Sequence, residues 1–254
     1  MSLVLVERLT PHVTTLTLNR PERRNALTIE LMTELVRAFE AAAADETQRV
    51  VLLRGAGPAF CAGMDLNETQ KPDRAHQSAD LVAKTLLAIS QTQLVTIAAV
   101  HGAAVAGGAG LMSACDFVVA AEGTKIGYPE VRRGLVAGLV MTFLRRQVRE
   151  RDIRELLLTA ELIDAARAKE LGLVNRVCAA DALDDEVSKI VAAVLQGAPG
   201  AIANTKRLME ELWSSSVTED IETARRHHMQ ARESAEAKEG VAAFIEKRPP
   251  KWAS

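Results

Sequence analysis

The 254-residue chain has few cysteines, little net charge and no long apolar run. Its three cysteines, Cys61, Cys115 and Cys178, form no Cys-x-x-Cys pair, so we expect a reducing compartment and no disulfide framework. The formal net charge of −2 argues against a broad surface for nucleic acids or anionic membranes. The longest mostly apolar run, 94–100, is too short to cross a bilayer, and no signal peptide is recognisable. These features predict a cytoplasmic protein that binds neither nucleic acid nor membrane.

Several common catalytic and nucleotide-binding motifs are also absent. The chain has no Gly-x-Ser-x-Gly elbow and no His-Glu-x-x-His motif. Its glycines in 102–110 are not spaced as Gly-x-Gly-x-x-Gly, and no Gly-Lys-Ser/Thr ends a P-loop. His227 and His228 are adjacent and cannot share a helix face, which argues against a metal site. We therefore expect neither a metal ion nor a nucleotide held in these ways.

Apolar periodicity predicts strands alternating with helices over the first 180 residues and mostly helices afterwards. The predicted strands are 3–6, 13–19, 50–53, 95–100, 116–120 and 173–178, with a short extended piece at 125–130. The predicted helices are 29–44, 79–91, 140–148, 151–159, 165–171, 182–195, 201–213, 218–233 and 235–246. The polar segment 67–80 is expected to form a mobile loop. This order favours an α/β core followed by a helical C-terminal part.

The stretch 97–111 predicts a strand, a tight turn of small residues and the N-terminus of a helix. Such a junction leaves backbone N–H groups without intrahelical partners and adds the positive end of the helix dipole. It can therefore hold an anion or a developing oxyanion. With the nucleotide motifs set aside, Gly107 is a candidate oxyanion donor. The alternative is that the small residues only pack the helix against the sheet.

Two further segments combine a glycine with a possible functional group. In 60–66, Gly63 permits an unusual backbone angle that would leave the N–H of Met64 free. In 126–131, Glu130 follows a proline among apolar neighbours, where burial disfavours its charged form, as in a general acid or base. Taken alone, the first is more often a plain loop and the second a surface carboxylate.

Together and in this order, five segments resemble the crotonase, or enoyl-CoA hydratase/isomerase, superfamily. They are 19–27 (Asn-Arg-Pro-x-x-x-Asn-Ala-Leu), 60–66 (Phe-x-Ala-Gly-x-Asp), 98–110 (Ala-x-x-x-Gly-x-Ala-x-Gly-Gly), 127–130 (Gly-x-Pro-Glu) and the alanine-rich 235–244 that ends in Ala-Phe. The resemblance implies an α/β fold with a crotonase-like ββα spiral core over 1–195. It also implies a C-terminal helical region, 196–254, that assembles trimers or dimers of trimers.

The resemblance further implies acyl-CoA thioester substrates and no separate cofactor, because coenzyme A is part of the substrate. By position, the backbone N–H groups of Met64 and Gly107 would form the oxyanion hole, and Glu130 would be the general acid/base. The residues implied to lie along the CoA ester are Arg24, Ala26, Ala62, Asp65, Leu66, Tyr128, Leu135, Phe244 and Lys247. Phe244 and Lys247 are expected at the adenine end of a neighbouring subunit's ligand.

The chain departs from the hydratase pattern at two places. Hydratases of the family carry a first glutamate three residues after the oxyanion glycine, where this chain has Gly110. The usual Pro-Gly-x-Gly-Gly-Thr segment is altered at 137–142, with Leu139, Val140 and Met141 in it. With Glu130 as the sole catalytic glutamate, the resemblance leads us to expect double-bond isomerisation. In that reaction the glutamate takes a proton from C2 of the acyl chain and returns it at C4. Hydration, C–C or C–halogen chemistry through the same enolate, and a non-catalytic homologue that binds acyl-CoA or RNA stay open as alternatives.

Overall fold

The computed structural model describes residues 2–68 and 72–253. Its strands are β1 Val4–Thr10, β2 Val13–Leu18, β3 Val50–Gly55, β4 Val95–Val100, β5 Ala103–Val105, β6 Phe117–Ala121, β7 Lys125–Gly127, β8 Ile163–Asp164 and β9 Arg176–Cys178. Its α-helices are α1 Ile29–Ala44, α2 Pro72–Ser90, α3 Gly107–Ala114, α4 Gly138–Gln147, α5 Glu150–Thr159, α6 Ala165–Glu170, α7 Leu183–Gln196, α8 Pro199–Glu211, α9 Val217–Arg232 and α10 Ala235–Ile245. A 3₁₀ turn, Pro129–Arg133, lies between β7 and α4.

The strands form two sheets. The larger has the order β1-β2-β3-β4-β6-β9 and is parallel except for the β1–β2 pair, and the smaller has the order β5-β7-β8. The chain passes from β4 in the large sheet to β5 in the small sheet and then into α3. It repeats this path through β6, β7, the 3₁₀ turn and α4. These consecutive ββα units confirm the predicted spiral.

The central strands are buried on both faces, as expected of a parallel sheet covered by helices. Alternate residues point to opposite faces of a strand. Leu52 and Ile97 pack with α7 on one face. Leu53 and Ala98 belong to the main core on the other face, together with the buried side of α1. Strand β4 leads directly into β5 and α3, and buried residues of both elements belong to this main core. The packed core therefore holds the turn between β5 and α3 in place.

The C-terminal helices fold back over the core. Helix α9 packs on α2 and α4, and α10 packs on the 3₁₀ turn that carries Glu130. The approach of α10 is close, because a Cβ on Gly240 would lie 2.4 Å from the carbonyl oxygen of Arg133. The proposed division after residue 195 falls at the end of α7. Among the described residues, no helix combines the length and apolar character needed to cross a membrane.

Most predicted elements are confirmed, and two corrections are needed. The segment 67–80 was predicted as a loop, but α2 begins at Pro72; residues 69–71 of that prediction lie outside the described part of the chain. Proline fits the first turn of a helix because that position needs no N–H donor, and Ala75 and Ala79 extend the buried face of α2. Strands β5 and β8 were not predicted, because elements of two or three residues carry almost no periodicity.

Candidate active site

A turn around Asn25 supports one side of the site. Arg24 and Asn25 both have left-handed backbone angles, with φ of 49° and 55°. The fully buried Asn25 accepts a hydrogen bond from the Arg20 N–H at its Oδ1 (2.8 Å), and its Nδ2 donates to the carbonyls of Ala56 and Ala59 (2.8 Å each). A buried amide with these partners is well satisfied. Asn25 therefore ties this turn to the loop that follows β3.

The loop after β3 presents the backbone of Met64. The Leu27 N–H donates to the carbonyl of Gly63 (2.8 Å), and the Asp65 N–H donates to the carbonyl of Leu27 (2.9 Å). Gly63 has a φ of +91°, and a Cβ there would come within 2.8 Å of the carbonyl oxygen of Val105. Within the described residues, the Met64 N–H donates no hydrogen bond to the protein. The loop is thus anchored on both sides of an unused donor.

Gly107 supplies the second donor. It is the first residue of α3, so its N–H has no partner inside the helix. The preceding Ala106 has φ 51° and ψ −120°, a backbone conformation that costs about 1–3 kcal/mol and clusters at functional sites. The Ala106 N–H donates to the carbonyl of Gly127 (2.8 Å), which holds this turn. A Cβ built on Gly107 would lie 3.9 Å from both Gly63 Cα and Met64 Cγ, so the two turns are in contact.

Met64 and Gly107 line one cavity, which is bounded mainly by apolar side chains. The lining residues are Ala62, Met64, Leu66, Ser78, Ala79, Val82, Val105, Ala106, Gly107, Glu130, Arg133, Leu135, Val136, Ala137, Gly138, Leu139, Val140, His228, Arg232 and Phe244. Among these described residues, Glu130 is the only carboxylate. Two backbone donors and one carboxylate therefore share a mainly apolar space, an arrangement suited to oxyanion stabilisation with proton transfer.

The 3₁₀ turn after β7 places Glu130 in the cavity. Pro129 opens this turn, and the following Glu130 lies partly exposed to the cavity. Burial raises the pKa of Glu130 from 4.5 to about 7, while a backbone hydrogen bond and the positive charge of Arg133 oppose the rise. Within the described residues, the buried Oε2 of Glu130 has no hydrogen-bond partner. A carboxyl group with a pKa near neutrality can both accept and donate a proton.

The structure separates the predicted site residues into two sets. Those that line the cavity are Ala62, Met64, Leu66, Gly107, Glu130, Leu135 and Phe244, and those that lie outside it are Arg24, Ala26, Asp65, Tyr128 and Lys247. The placement of Tyr128 needs correction. Its ring is fully buried, and its hydroxyl lies 3.1 Å from Ser113 Oγ on α3. Burial raises the pKa of this phenol, so Tyr128 is a neutral core residue behind the cavity wall.

Two other predicted residues have partners within their own chain. Asp65 forms an ion pair with Arg20 (3.2 Å) in which both side chains are largely buried. Phe244 lines the cavity of its own chain, with its ring centroid 4.3 Å from the guanidinium carbon of Arg133. The contact with Arg133 places Phe244 beside the 3₁₀ turn of its own chain. This contact forms because α10 packs against the 3₁₀ turn. The expected contact of Phe244 with a neighbouring subunit's ligand stays a prediction.

Three basic side chains that the sequence analysis did not assign to the site, Arg133, His228 and Arg232, also line the cavity. Arg133 lies three residues after Glu130 on a 3₁₀ turn, and residues at this spacing share a face. His228 and Arg232 lie one turn apart on α9. The His228 Nδ1 is 3.1 Å from the carbonyl oxygen of Val136, and burial lowers the pKa of this imidazole. Spacing alone was enough to find Arg133, whereas the packing of α9 requires the tertiary structure.

The neighbours of Gly110 show what occupies the position of a second carboxylate. Gly110 lies on the face of α3 that packs against α4. A Cβ there would come 2.4 Å from Val140 Cγ1 and 3.7 Å from Leu86 Cδ2. The absence of a side chain at 110 and the bulk of Val140 are therefore complementary. Glycine leaves space at position 110, and the valine side chain at position 140 fills that space with apolar atoms.

Known proteins agree with this architecture. The sequence profile of the family described as Enoyl-CoA hydratase/isomerase matches residues 9–254. A putative enoyl-CoA hydratase from Thermus thermophilus is 39% identical over 247 residues, which cover 95% of this chain and 97% of that protein. The crystal structure of a putative enoyl-CoA hydratase from Mycobacterium avium paratuberculosis is 35% identical, with a TM-score of 0.89 and coverage of 99% and 100%. The chain therefore belongs to the enoyl-CoA hydratase/isomerase family and is an enzyme of the crotonase superfamily.

Proposed function

We propose that this enzyme moves the double bond of an enoyl-CoA thioester from position 3 to position 2. The observation that carries the proposal is the single carboxylate, Glu130, among the described residues of the cavity. Hydration must both orient a water molecule and deprotonate it, and a second carboxylate at position 110 would help with this. Val140 fills the space beside Gly110 instead. Isomerisation needs one base that accepts a proton and then returns it.

In the proposed reaction, backbone N–H groups and the Glu130 side chain have separate roles. The thioester carbonyl oxygen accepts hydrogen bonds from the N–H groups of Met64 and Gly107. Glu130 in its ionised form removes a proton from C2, and the electron pair of that C–H bond delocalises into a dienolate whose negative charge rests on the thioester oxygen. Protonated Glu130 then delivers the same proton to C4, which leaves the double bond between C2 and C3. Each oxyanion donor is worth about 3–4 kcal/mol in comparable sites.

The pKa of Glu130 suits both halves of this reaction. At a pKa of about 7, close to half of the carboxyl groups are ionised at neutral pH. The ionised half is able to start the cycle, and the conjugate acid is strong enough to protonate the dienolate. Apolar side chains such as Leu135 and Leu139 line the same cavity and limit the access of water to the intermediate.

Hydration of a 2-enoyl-CoA is the second candidate. It is favoured by the names of the relatives, several of which are called enoyl-CoA hydratases. Ser78 and His228 also line the cavity and offer polar atoms beside Glu130 that are able to hold a water molecule. A third candidate is a non-catalytic acyl-CoA-binding homologue. Direct product analysis separates these possibilities.

The test is incubation of the purified enzyme with trans-3-hexenoyl-CoA and with trans-2-hexenoyl-CoA, with chromatographic separation of the products. We expect conversion of the 3-enoyl to the 2-enoyl ester and a fall of about 10²- to 10⁴-fold in Glu130→Gln. Glu122→Gln, at an exposed turn, is the matched control and keeps the wild-type rate. Mainly 3-hydroxyhexanoyl-CoA indicates a hydratase. Tight binding of both esters without turnover indicates a binding protein.

Assembly into trimers or dimers of trimers is part of the same proposal. Helix α8 and the residue pair that follows it expose large apolar side chains, Leu208, Met209, Leu212 and Trp213. A contiguous apolar patch of this kind is typical of protein–protein contacts. Light scattering coupled to size-exclusion chromatography checks the assembly. A monomer in wild-type protein contradicts this part of the proposal.

A further inference from the structure

One guanidinium group in the cavity takes part in neither proton transfer of the isomerisation described above. Arg133 shares a face of the 3₁₀ turn with Glu130 and lines the cavity with it. Its Nη1 donates a long hydrogen bond to the carbonyl of Pro129 (3.3 Å). Its Nε is buried and has no hydrogen-bond partner within the described residues. A cation with an unused buried donor is costly unless a ligand completes its coordination.

The position of Arg133 is well defined by α10. Gly240 lets this helix approach the backbone of Arg133, since a Cβ at 240 would lie 2.4 Å from the Arg133 carbonyl oxygen. Phe244, one helical turn later, places its ring 4.3 Å from the guanidinium carbon. An arginine stacked on an aromatic face loses part of its freedom to leave the cavity. The side chain is therefore held in place before any ligand binds.

The residues that line the cavity include charged side chains, for which a plain hydrocarbon chain offers no partner. The charged side chains among them are Glu130, Arg133 and Arg232. Burial lowers the pKa of the Arg133 guanidinium, while the negative charge of Glu130 opposes the fall. An alkyl chain would supply no compensating charge. A second anion within the substrate would supply it.

We propose that this pocket selects acyl-CoA esters whose acyl group carries a second carboxylate, and that Arg133 binds this carboxylate. A guanidinium fork matches the planar, bidentate geometry of a carboxylate better than any neutral group. Because Arg133 lies next to Glu130, the bound anion belongs to the reacting acyl part and not to the nucleotide end of coenzyme A. The inference rests on the proposed function only in assuming that the acyl chain enters the cavity of Glu130.

The kinetic test compares two substrates of equal length, trans-3-hexenoyl-CoA and the coenzyme A monoester of trans-3-hexenedioic acid. The readout is the ratio of their kcat/KM values, because Arg133 also influences Glu130 and changes both absolute rates. We expect wild-type enzyme to favour the carboxylate ester by about tenfold or more, as a charge-assisted hydrogen bond provides. Arg133→Leu reduces this ratio by about tenfold or more, and Arg133→Lys restores part of it.

The neighbouring Arg132 provides a matched control. It is exposed and donates to the carbonyl of Thr159 outside the cavity (3.1 Å), so Arg132→Leu keeps the wild-type ratio. A ratio near one in wild-type enzyme overturns the inference. So does an equal loss for both esters in Arg133→Leu, since Arg133 then acts only through Glu130.

A binding measurement separates this inference from the proposed function. Hexanoyl-CoA and hexanedioyl-CoA are saturated, so calorimetry reports their affinities without any reaction. We expect tighter binding of hexanedioyl-CoA by wild-type protein and loss of the difference in Arg133→Leu. That result without isomerase activity supports the carboxylate subsite and rejects the isomerase. Isomerase activity with equal affinity for the two esters rejects the subsite and keeps the isomerase.

Discussion

The cavity has two unlike walls. The oxyanion wall, formed by Met64, Ala106 and Gly107, offers backbone N–H groups. The positive φ angles of the adjacent Gly63 and of Ala106 position these groups. The acyl wall, formed by Glu130, Arg133, Val140 and Phe244, acts through side chains. In the proposed reaction, the backbone donors bind the thioester oxygen whatever the acyl group is, whereas the side chains contact the rest of the substrate. On this proposal the first wall stabilises an enolate of any acyl group, and the second decides which reaction and which substrate follow.

The largest effect is expected from Gly63→Ala, which breaks the oxyanion wall. The new methyl group meets the carbonyl oxygen of Val105 at 2.8 Å and displaces the Met64 N–H. Loss of one oxyanion donor lowers kcat by about 10²- to 10³-fold. Gly123→Ala is the matched control, because Gly123 also has positive φ (77°) but open space around it. A wild-type kcat in Gly63→Ala would show that this loop adapts without cost to the donor.

The second prediction tests how the acyl wall excludes a second carboxylate. Gly110→Glu alone collides with Val140 Cγ1 and is expected to reduce the free energy of unfolding by about 1–3 kcal/mol. Adding Val140→Gly removes the obstructing atoms and is expected to recover part of the stability and to increase hydration of trans-2-hexenoyl-CoA.

Urea denaturation and product analysis measure the two effects, with Val140→Gly alone as the reference for the double variant. Gly110→Glu as stable as wild-type protein would mean that α3 and α4 separate easily. In that case Val140 would not be what keeps the second carboxylate out.

Glu130→Gln is expected to stabilise the fold at high pH. The folded-state pKa of about 7 exceeds the ordinary value of 4.5, so folding opposes ionisation of this carboxyl group. The penalty is absent below pH 4.5 and complete above pH 7. The variant should therefore be more stable than wild-type protein by about 1–3 kcal/mol at pH 8, with the difference shrinking towards pH 4.5. Urea unfolding at three pH values checks this, and an equal difference at all of them would contradict it.

The smallest effect is expected in the pH profile of isomerisation. With Glu130 as the base in the free enzyme, kcat/KM rises about tenfold between pH 6 and pH 8, with an apparent pKa of about 7. The positive charge of Arg133 lowers the pKa of Glu130, so Arg133→Leu moves the midpoint to higher pH. His228→Gln tests the other titratable side chain in the cavity. If that variant abolishes the rise, the midpoint belongs to His228.

Local patterns were sufficient for much of the fold. The apolar spacing of α1 and the buried run of β4 were predicted with their observed bounds. Helix α2 was predicted to start too late, because a proline and polar residues at its beginning read as a loop. The two walls of the cavity also differ in how well the sequence predicts them. The glycines near the oxyanion wall form recognisable local motifs, whereas the sequence analysis assigned no role to Arg133.

The amino-acid sequence by itself determined the family, the ββα order and the three groups that carry the proposed chemistry, Met64, Gly107 and Glu130. Each belongs to a short motif whose backbone geometry is local. Only the tertiary structure decided that Val140 fills the space beside Gly110, that Tyr128 lies in the core, and that α9 and α10 bring positive charge and an aromatic ring to Glu130. These facts depend on contacts between segments far apart in the chain, and such contacts leave no periodic signal in either segment.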